Sequence, residues 1–249
     1  MLHTIKSKLK VFFGKDVSYH KIKTSLQLEK LGSTYGGWTI PVTLLNESSI
    51  CYLAGAGEDI SFDIELANRF NCHVLIYDPT PKSKIHFEEV FTTSRKRKSM
   101  TYSNGTYIFK DDTIDRLHFH EIGIWTRNDK IKFFAPKLDE HVSHSISNLQ
   151  HTDKYFEARV DRLFNLMRSN GHNHIDILKI DIEGSEFEVI DTIIDDKLDV
   201  KILCVEFHQS DEKGIADIQK TITKLEHADY RVVSREDWDF TLLKSYLII

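Results

Sequence analysis

The ionisable residues of this chain fall where apolar runs give way to glycine or polar residues. The first such point is Gly55-Ala56-Gly57-Glu58-Asp59, directly after Ile50-Cys51-Tyr52-Leu53-Ala54. Two glycines after a strand let the backbone turn tightly and approach a ligand with no Cβ in the way. A dinucleotide fingerprint wants a third glycine three places after the second, and bare N–H groups for a pyrophosphate. Here that place is Ile60, and Glu58 and Asp59 bring two carboxylates instead. Carboxylates repel phosphate and suit a cation. The turn therefore favours an adenosine compound with positive charge and no phosphate, and S-adenosyl-L-methionine is one. Asp78 ends His73–Tyr77, 21 positions beyond Gly57 (78 − 57), where an acidic side chain can accept ribose hydroxyls. Gly55, Gly57, Glu58, Asp59 and Asp78 are thus the expected cofactor-binding residues, with Glu121 added from the polar edge at 121–125.

The second concentration is Leu178-Lys179-Ile180-Asp181-Ile182-Glu183-Gly184-Ser185-Glu186. Ser185 and Glu188 fit a capping box that starts the next helix. Capping does not explain Asp181, a charge at the end of an apolar strand that is costly to bury without a partner. Glu206 and His208 follow the next apolar run two residues apart, on one side of an extended chain. Positioned acids and bases align reactants and move protons. Asp181, Glu206, His208 and the loop residue His144 are the candidate catalytic groups, with His208 as a base of near-neutral pKa. Asp181, Glu206 and His208 also form the donor set that a divalent metal would use, but their spacing lacks the tightness of a metal motif, and a metal is not favoured. Glu183, Tyr35 and Trp38 are assigned to the substrate. The two aromatics flank a Gly-Gly pair and could stack on a sugar ring or cap the core.

Apolar periodicity supplies the elements that position these groups. Strands are expected at 50–54, 73–77, 117–125, 130–134, 175–181, 201–207, 230–234 and 240–249, and helices at 58–70, 83–91, 185–194 and 215–227. Residues 155–169 should begin extended and end helical. Alternation of strand and helix from 50 to 229 argues for a mostly parallel sheet covered on both faces, closed by an antiparallel pair. Such sheets bind ligands beyond the carboxyl ends of the strands. Residues 1–48 form a lysine-rich helical or irregular extension, and 49–249 the main domain.

The chain has 249 residues, 41% of them hydrophobic, enough for a sizeable core. A formal charge of −5 argues against nucleic acid as a partner. Cys51, Cys72 and Cys204 show no paired spacing and read as buried thiols in a reducing compartment. With no membrane-length apolar run or convincing signal peptide, the expected location is cytoplasmic. The basic segment at the start offers peripheral contact with anionic lipid, although packing on the core with solvated lysines is the simpler reading. The run Arg95-Lys96-Arg97-Lys98 reads as a solvated loop.

Together these residues resemble the FkbM family of S-adenosylmethionine-dependent methyltransferases. The resemblance runs from about Leu31 to His208. It rests on Tyr35-Gly36-Gly37-Trp38, Gly55 to Asp63, Tyr77-Asp78-Pro79-Thr80-Pro81, His141 to Ser145, Leu178 to Gly184 and Cys204-Val205-Glu206-Phe207-His208. It implies a Rossmann-like class I methyltransferase: a doubly wound, mostly parallel seven-stranded α/β sheet with an antiparallel final hairpin. It also implies O-methylation, often of sugars in bacterial polysaccharides or of secondary metabolites, so a saccharide or glycoconjugate acceptor is the expected partner. Two rivals stay open, a nicotinamide-dependent oxidoreductase and a non-catalytic Rossmann-like binding module.

Overall fold

The structure is a computed structural model that describes residues 16–134, 155–209 and 211–248. In chain order it runs β1 (Leu28–Leu31), β2 (Trp38–Pro41), β3 (Ile50–Ala54), α1 (Ser61–Phe70), β4 (His73–Tyr77), α2 (Pro81–Ser94), β5 (Ser99–Tyr102), β6 (Gly105–Ile108), β7 (Leu117–His120), β8 (Gly123–Trp125), β9 (Asp129–Phe134) and β10 (Tyr155–Arg162). There follow α3 (Leu163–Ser169), β11 (Ile175–Ile180), α4 (Glu186–Asp195), β12 (Val200–Glu206), α5 (Glu212–His227), β13 (Tyr230–Glu236) and β14 (Asp239–Lys244).

Seven strands form the central sheet in the order β13-β14-β12-β11-β3-β4-β7. Its members β7, β4, β3, β11 and β12 run parallel, while β14 is antiparallel to both β12 and β13. Every residue of β11 is buried, as expected for a strand covered on both faces. The order reverses between β3, whose successors β4 and β7 lie on one side, and β11 on the other. This is the doubly wound, class I methyltransferase arrangement with a reversed closing hairpin.

Capping chemistry sets several helix starts. Thr80 accepts from the Ser83 amide with Pro81 in the first turn, so α2 begins two residues before the expected Ser83. Asp211 accepts from the Gly214 amide at 2.7 Å, and α5 begins at Glu212 instead of Ile215. The expected capping box on α4 does not form. Ser185 makes no capping bond, and among the described residues its buried hydroxyl oxygen has no partner. Glu186 folds back instead and accepts from the Gly184 amide at 2.9 Å.

The stretch 117–125 divides, correcting the single strand expected there. β7 joins the central sheet, and β8 leaves it for a small sheet of order β8-β10-β9. Residues 58–60 are not helical, so α1 begins at Ser61. The hairpin β5–β6 was not anticipated by the sequence pattern. Tyr107 anchors it, buried, with its hydroxyl accepting from the Ile60 amide at 3.1 Å. Within the N-terminal extension, β1 and β2 pair antiparallel and bury Leu31, Trp38 and Ile40 in the same core as α1. The helical pattern in residues 1–15 lies outside the described residues. All three cysteines are buried free thiols, and no described helix is long and apolar enough to cross a membrane.

Candidate active site

A cavity of about 350 Å³ opens at the carboxyl ends of the parallel strands, at the reversal between β3 and β11. Its lining includes Gly55, Gly57, Glu58, Asp59, Asp78, Asp181, Glu183, Glu206 and His208, all expected from sequence. Tyr35 and Trp38 also line it, Tyr35 from an exposed rim and Trp38 from the core. Glu121 is not in the lining. It turns outward to an ion pair with Lys84 at 2.6 Å, because β7 has ended and the chain is leaving for the second sheet. Its assignment to the cofactor is corrected on that ground. His144 lies outside the described residues.

The glycine turn is held from both sides. Asp78, 4% exposed, accepts the Ala56 and Gly57 amides on one oxygen at 2.8 and 3.1 Å, with the Ser83 hydroxyl at 2.8 Å. Its other oxygen accepts the Thr80 amide and hydroxyl. The amides that a pyrophosphate would need are therefore already committed to a carboxylate. On the far side, Gly55 at φ +84° packs against the Asp181 carbonyl so closely that a Cβ would overlap it. Gly57, at φ +54°, faces open space.

Asp59 is likewise drawn into the scaffold. It accepts from the Ser33 hydroxyl, the Ser61 amide, the Tyr102 hydroxyl and the Asn104 amide group at 2.7–3.1 Å. This knots the N-terminal extension, the turn and the β5–β6 hairpin together at the rim, where Ser103 and Asn104 join the lining. Glu58 is exposed and, among the described residues, accepts no hydrogen bond from the chain.

Across the cavity, His208 stands among carboxylates. Its Nδ1 contacts Glu186 Oε1 at 2.9 Å, and its Nε2 lies 3.4 Å from Glu183, 3.6 Å from Asp181 and 3.8 Å from Glu206. Burial pulls the imidazole pKa down, but the Glu186 hydrogen bond and charge, then Glu183 and Asp181, outweigh it and push the value up to about 10. At neutral pH His208 is an imidazolium. The expectation of a near-neutral base is corrected, since the sequence could not show four carboxylates converging on one ring. Glu206 is raised as well, but for a carboxyl this favours the neutral form: burial and the Asp181 charge push it up to about 8. Asp239, from β14, is raised to about 6 by burial and Asp181. The three donors weighed for a metal do meet, with ligand atoms of Asp181, Glu206 and His208 within 4.8 Å of one another.

Sequence reasoning missed several lining groups. Lys179 reaches the site from inside β11, Asp239 from the closing hairpin, and Ile124 and Phe133 from the second sheet. Nothing in their local spacing marks them, because each arrives through strand pairing. The basic run 95–98 is not in the lining; Arg95 pairs with Asp115 and Lys98 with Asp111. Glu183 at φ +55° and Gly184 at φ +96° form a left-handed turn beside Asp181. Such strain in a non-glycine residue is concentrated at functional sites.

The sheet order, its reversed hairpin and the cavity at the switch point define a class I methyltransferase fold. The Methyltransferase FkbM domain matches residues 54–232, and the chain belongs to that family of methyltransferases. Among solved structures, it is similar to a precorrin-6y C5,15-methyltransferase from Geobacter metallireducens GS-15 at 12% identity and TM-score 0.41, covering 81% of this chain and 83% of that one. A methyltransferase from Pyrococcus furiosus gives 11% identity and TM-score 0.38, with 96% and 93% covered. The Methanococcus jannaschii fibrillarin pre-rRNA processing protein gives 10% and 0.40, with 93% and 87% covered. No curated protein matches the sequence.

Proposed function

We propose that this methyltransferase uses S-adenosyl-L-methionine to O-methylate a sugar hydroxyl of a bacterial glycan or glycoconjugate precursor. The observation that carries the cofactor assignment is the capture of the Ala56 and Gly57 amides by Asp78, with the exposed carboxylate of Glu58 beside them on the same cavity wall. That wall repels a pyrophosphate and accommodates a sulfonium and an ammonium. The turn also fits a nucleoside sterically, since Gly57 presents no Cβ to the cavity. Of the donors on Asp78, the Ser83 and Thr80 hydroxyls can rotate away, which frees lone pairs for a ribose diol. Glu58 is the carboxylate left for the cofactor's cationic end.

When bound, the cofactor supplies an electrophilic methyl group on its sulfonium sulfur. The chain's own task is to hold the acceptor hydroxyl in line and take its proton. Glu206 suits that task, because a base works best with a pKa near the working pH. Asp181 orients the hydroxyl, and the His208 imidazolium balances the surrounding carboxylates. Tyr35, exposed on the rim, provides an aromatic face for a sugar ring, while Trp38 packs in the core behind the wall.

Calorimetry decides the cofactor. S-adenosylhomocysteine should bind with a Kd in the micromolar range and NAD should give no heat; the reverse pattern rejects the reading. Metal dependence is tested separately. Because the imidazolium already opposes the carboxylates, turnover should be unchanged in chelator. Activity that vanishes in chelator and returns with Mg²⁺ or Mn²⁺ would instead make Asp181, Glu206 and His208 metal ligands.

A further inference from the structure

Lys179 is 5% exposed, in the middle strand of the sheet, with neighbours Leu53 on β3 and Cys204 on β12. Burying an ammonium is costly unless it is paired and hydrogen-bonded, so a lysine placed there must be fully engaged. Its Nζ donates to the Gly55 carbonyl at 2.6 Å and lies 3.0 Å from Asp181 Oδ2. Asp63, buried on α1, is the further counter-charge beneath it. One ammonium thus touches both halves of the site. One arm pins the carbonyl that starts the glycine turn, and the other holds one oxygen of Asp181. The second oxygen of Asp181 is left toward His208, at 3.6 Å from Nε2.

We propose that Lys179 is a positioning residue that braces the cofactor turn against the acceptor-side carboxylate, so that both are set by a single buried charge. The inference rests on the reading of the cavity as a methyl-transfer site and deepens it. Without the ammonium, Gly55 O loses its donor and the turn slackens, while Asp181 loses the partner that fixes its rotamer. Removing Asp181 alone leaves the Gly55 arm in place. The two arms therefore separate experimentally.

The test compares Lys179→Met, Asp181→Asn and the double variant in the full chain. Asp181→Asn should keep S-adenosylhomocysteine affinity within about threefold while turnover is lost. Lys179→Met should lose at least tenfold in that affinity and also in turnover, and Lys179→Arg should recover part of both. Lys179→Met alone leaves the buried Asp63 without its counter-charge and Asp181 with His208 alone, and so can fail to fold. The double variant relieves part of this, because removing both members of a buried pair is far milder than removing one. In the double variant, affinity should stay at least tenfold below that of Asp181→Asn. Equal affinity in the two overturns the brace. Hydrogen exchange of the 53–60 segment supplies a readout independent of any ligand. Exchange should accelerate at least tenfold in the double variant relative to Asp181→Asn, and equal protection overturns the proposal. A wild-type chain that binds no S-adenosylhomocysteine rejects the functional reading, while the exchange comparison still decides the brace.

Discussion

Gly55→Ala should unfold the site, and Gly57→Ala should empty it. At Gly55 a Cβ overlaps the Asp181 carbonyl, a backbone atom that cannot swing aside, and the residue sits at φ +84°. Relief requires β3 and β11 to separate at the point where the sheet order reverses. The expected destabilisation is about 4 kcal/mol, at the upper end for a single substitution, and about 10 °C in Tm for a domain of this size. At Gly57 a Cβ meets nothing within 4 Å, and φ is +54°. The left-handed backbone costs about 1 kcal/mol, so folding survives. The added methyl group projects into the cavity, and S-adenosylhomocysteine affinity should fall at least tenfold. Thermal unfolding with calorimetry on the same two proteins separates these effects. Equal Tm values for the two variants would contradict the close packing of β3 on β11.

The second large effect is expected on the acceptor side. Asp181→Asn and His208→Ala should each lower turnover by about 10² to 10⁴, the usual range for proton-transfer and orienting groups, with S-adenosylhomocysteine affinity nearly unchanged. The mechanisms differ. Asp181→Asn keeps the shape but removes the charge that raises Glu206 and Asp239 and that faces Lys179. His208→Ala removes the cation opposite Glu183, Asp181 and Glu206 and takes the partner from Glu186, a carboxylate with no exposed surface. His208→Ala should therefore also lose about 2 kcal/mol of stability, whereas His208→Gln, which can still donate to Glu186, should recover stability without turnover. Wild-type rates in Asp181→Asn or His208→Ala remove that residue from the mechanism.

The sequence by itself determined the strands and helices of the central sheet and most of the charged groups in the cavity wall. Isoleucine- and leucine-rich runs such as Ile175–Ile180 read as strands covered on both faces, and Gly55, Asp78, Asp181 and Glu206 lie where those runs stop. Ligand sites of parallel sheets lie at such strand ends, so local pattern was enough to collect these residues. Local pattern failed where a side chain's meaning depends on a distant strand. Glu121 follows its strand as Asp78 does, yet the departure of the chain into β8 turns it away from the cavity. Ser185 has the spacing of a capping box, but Glu186 folds back to Gly184 and His208 instead.

Only the tertiary structure decided the charge states. His208 is an imidazolium because Glu186 from α4 and Asp181 and Glu183 from the turn after β11 converge on a residue that follows β12. Lys179 joins the site because β11 lies beside β3, which brings the Gly55 carbonyl to its ammonium. Electrostatic energy depends on separation in space and on burial. Spacing along the chain fixes neither until the strands have paired.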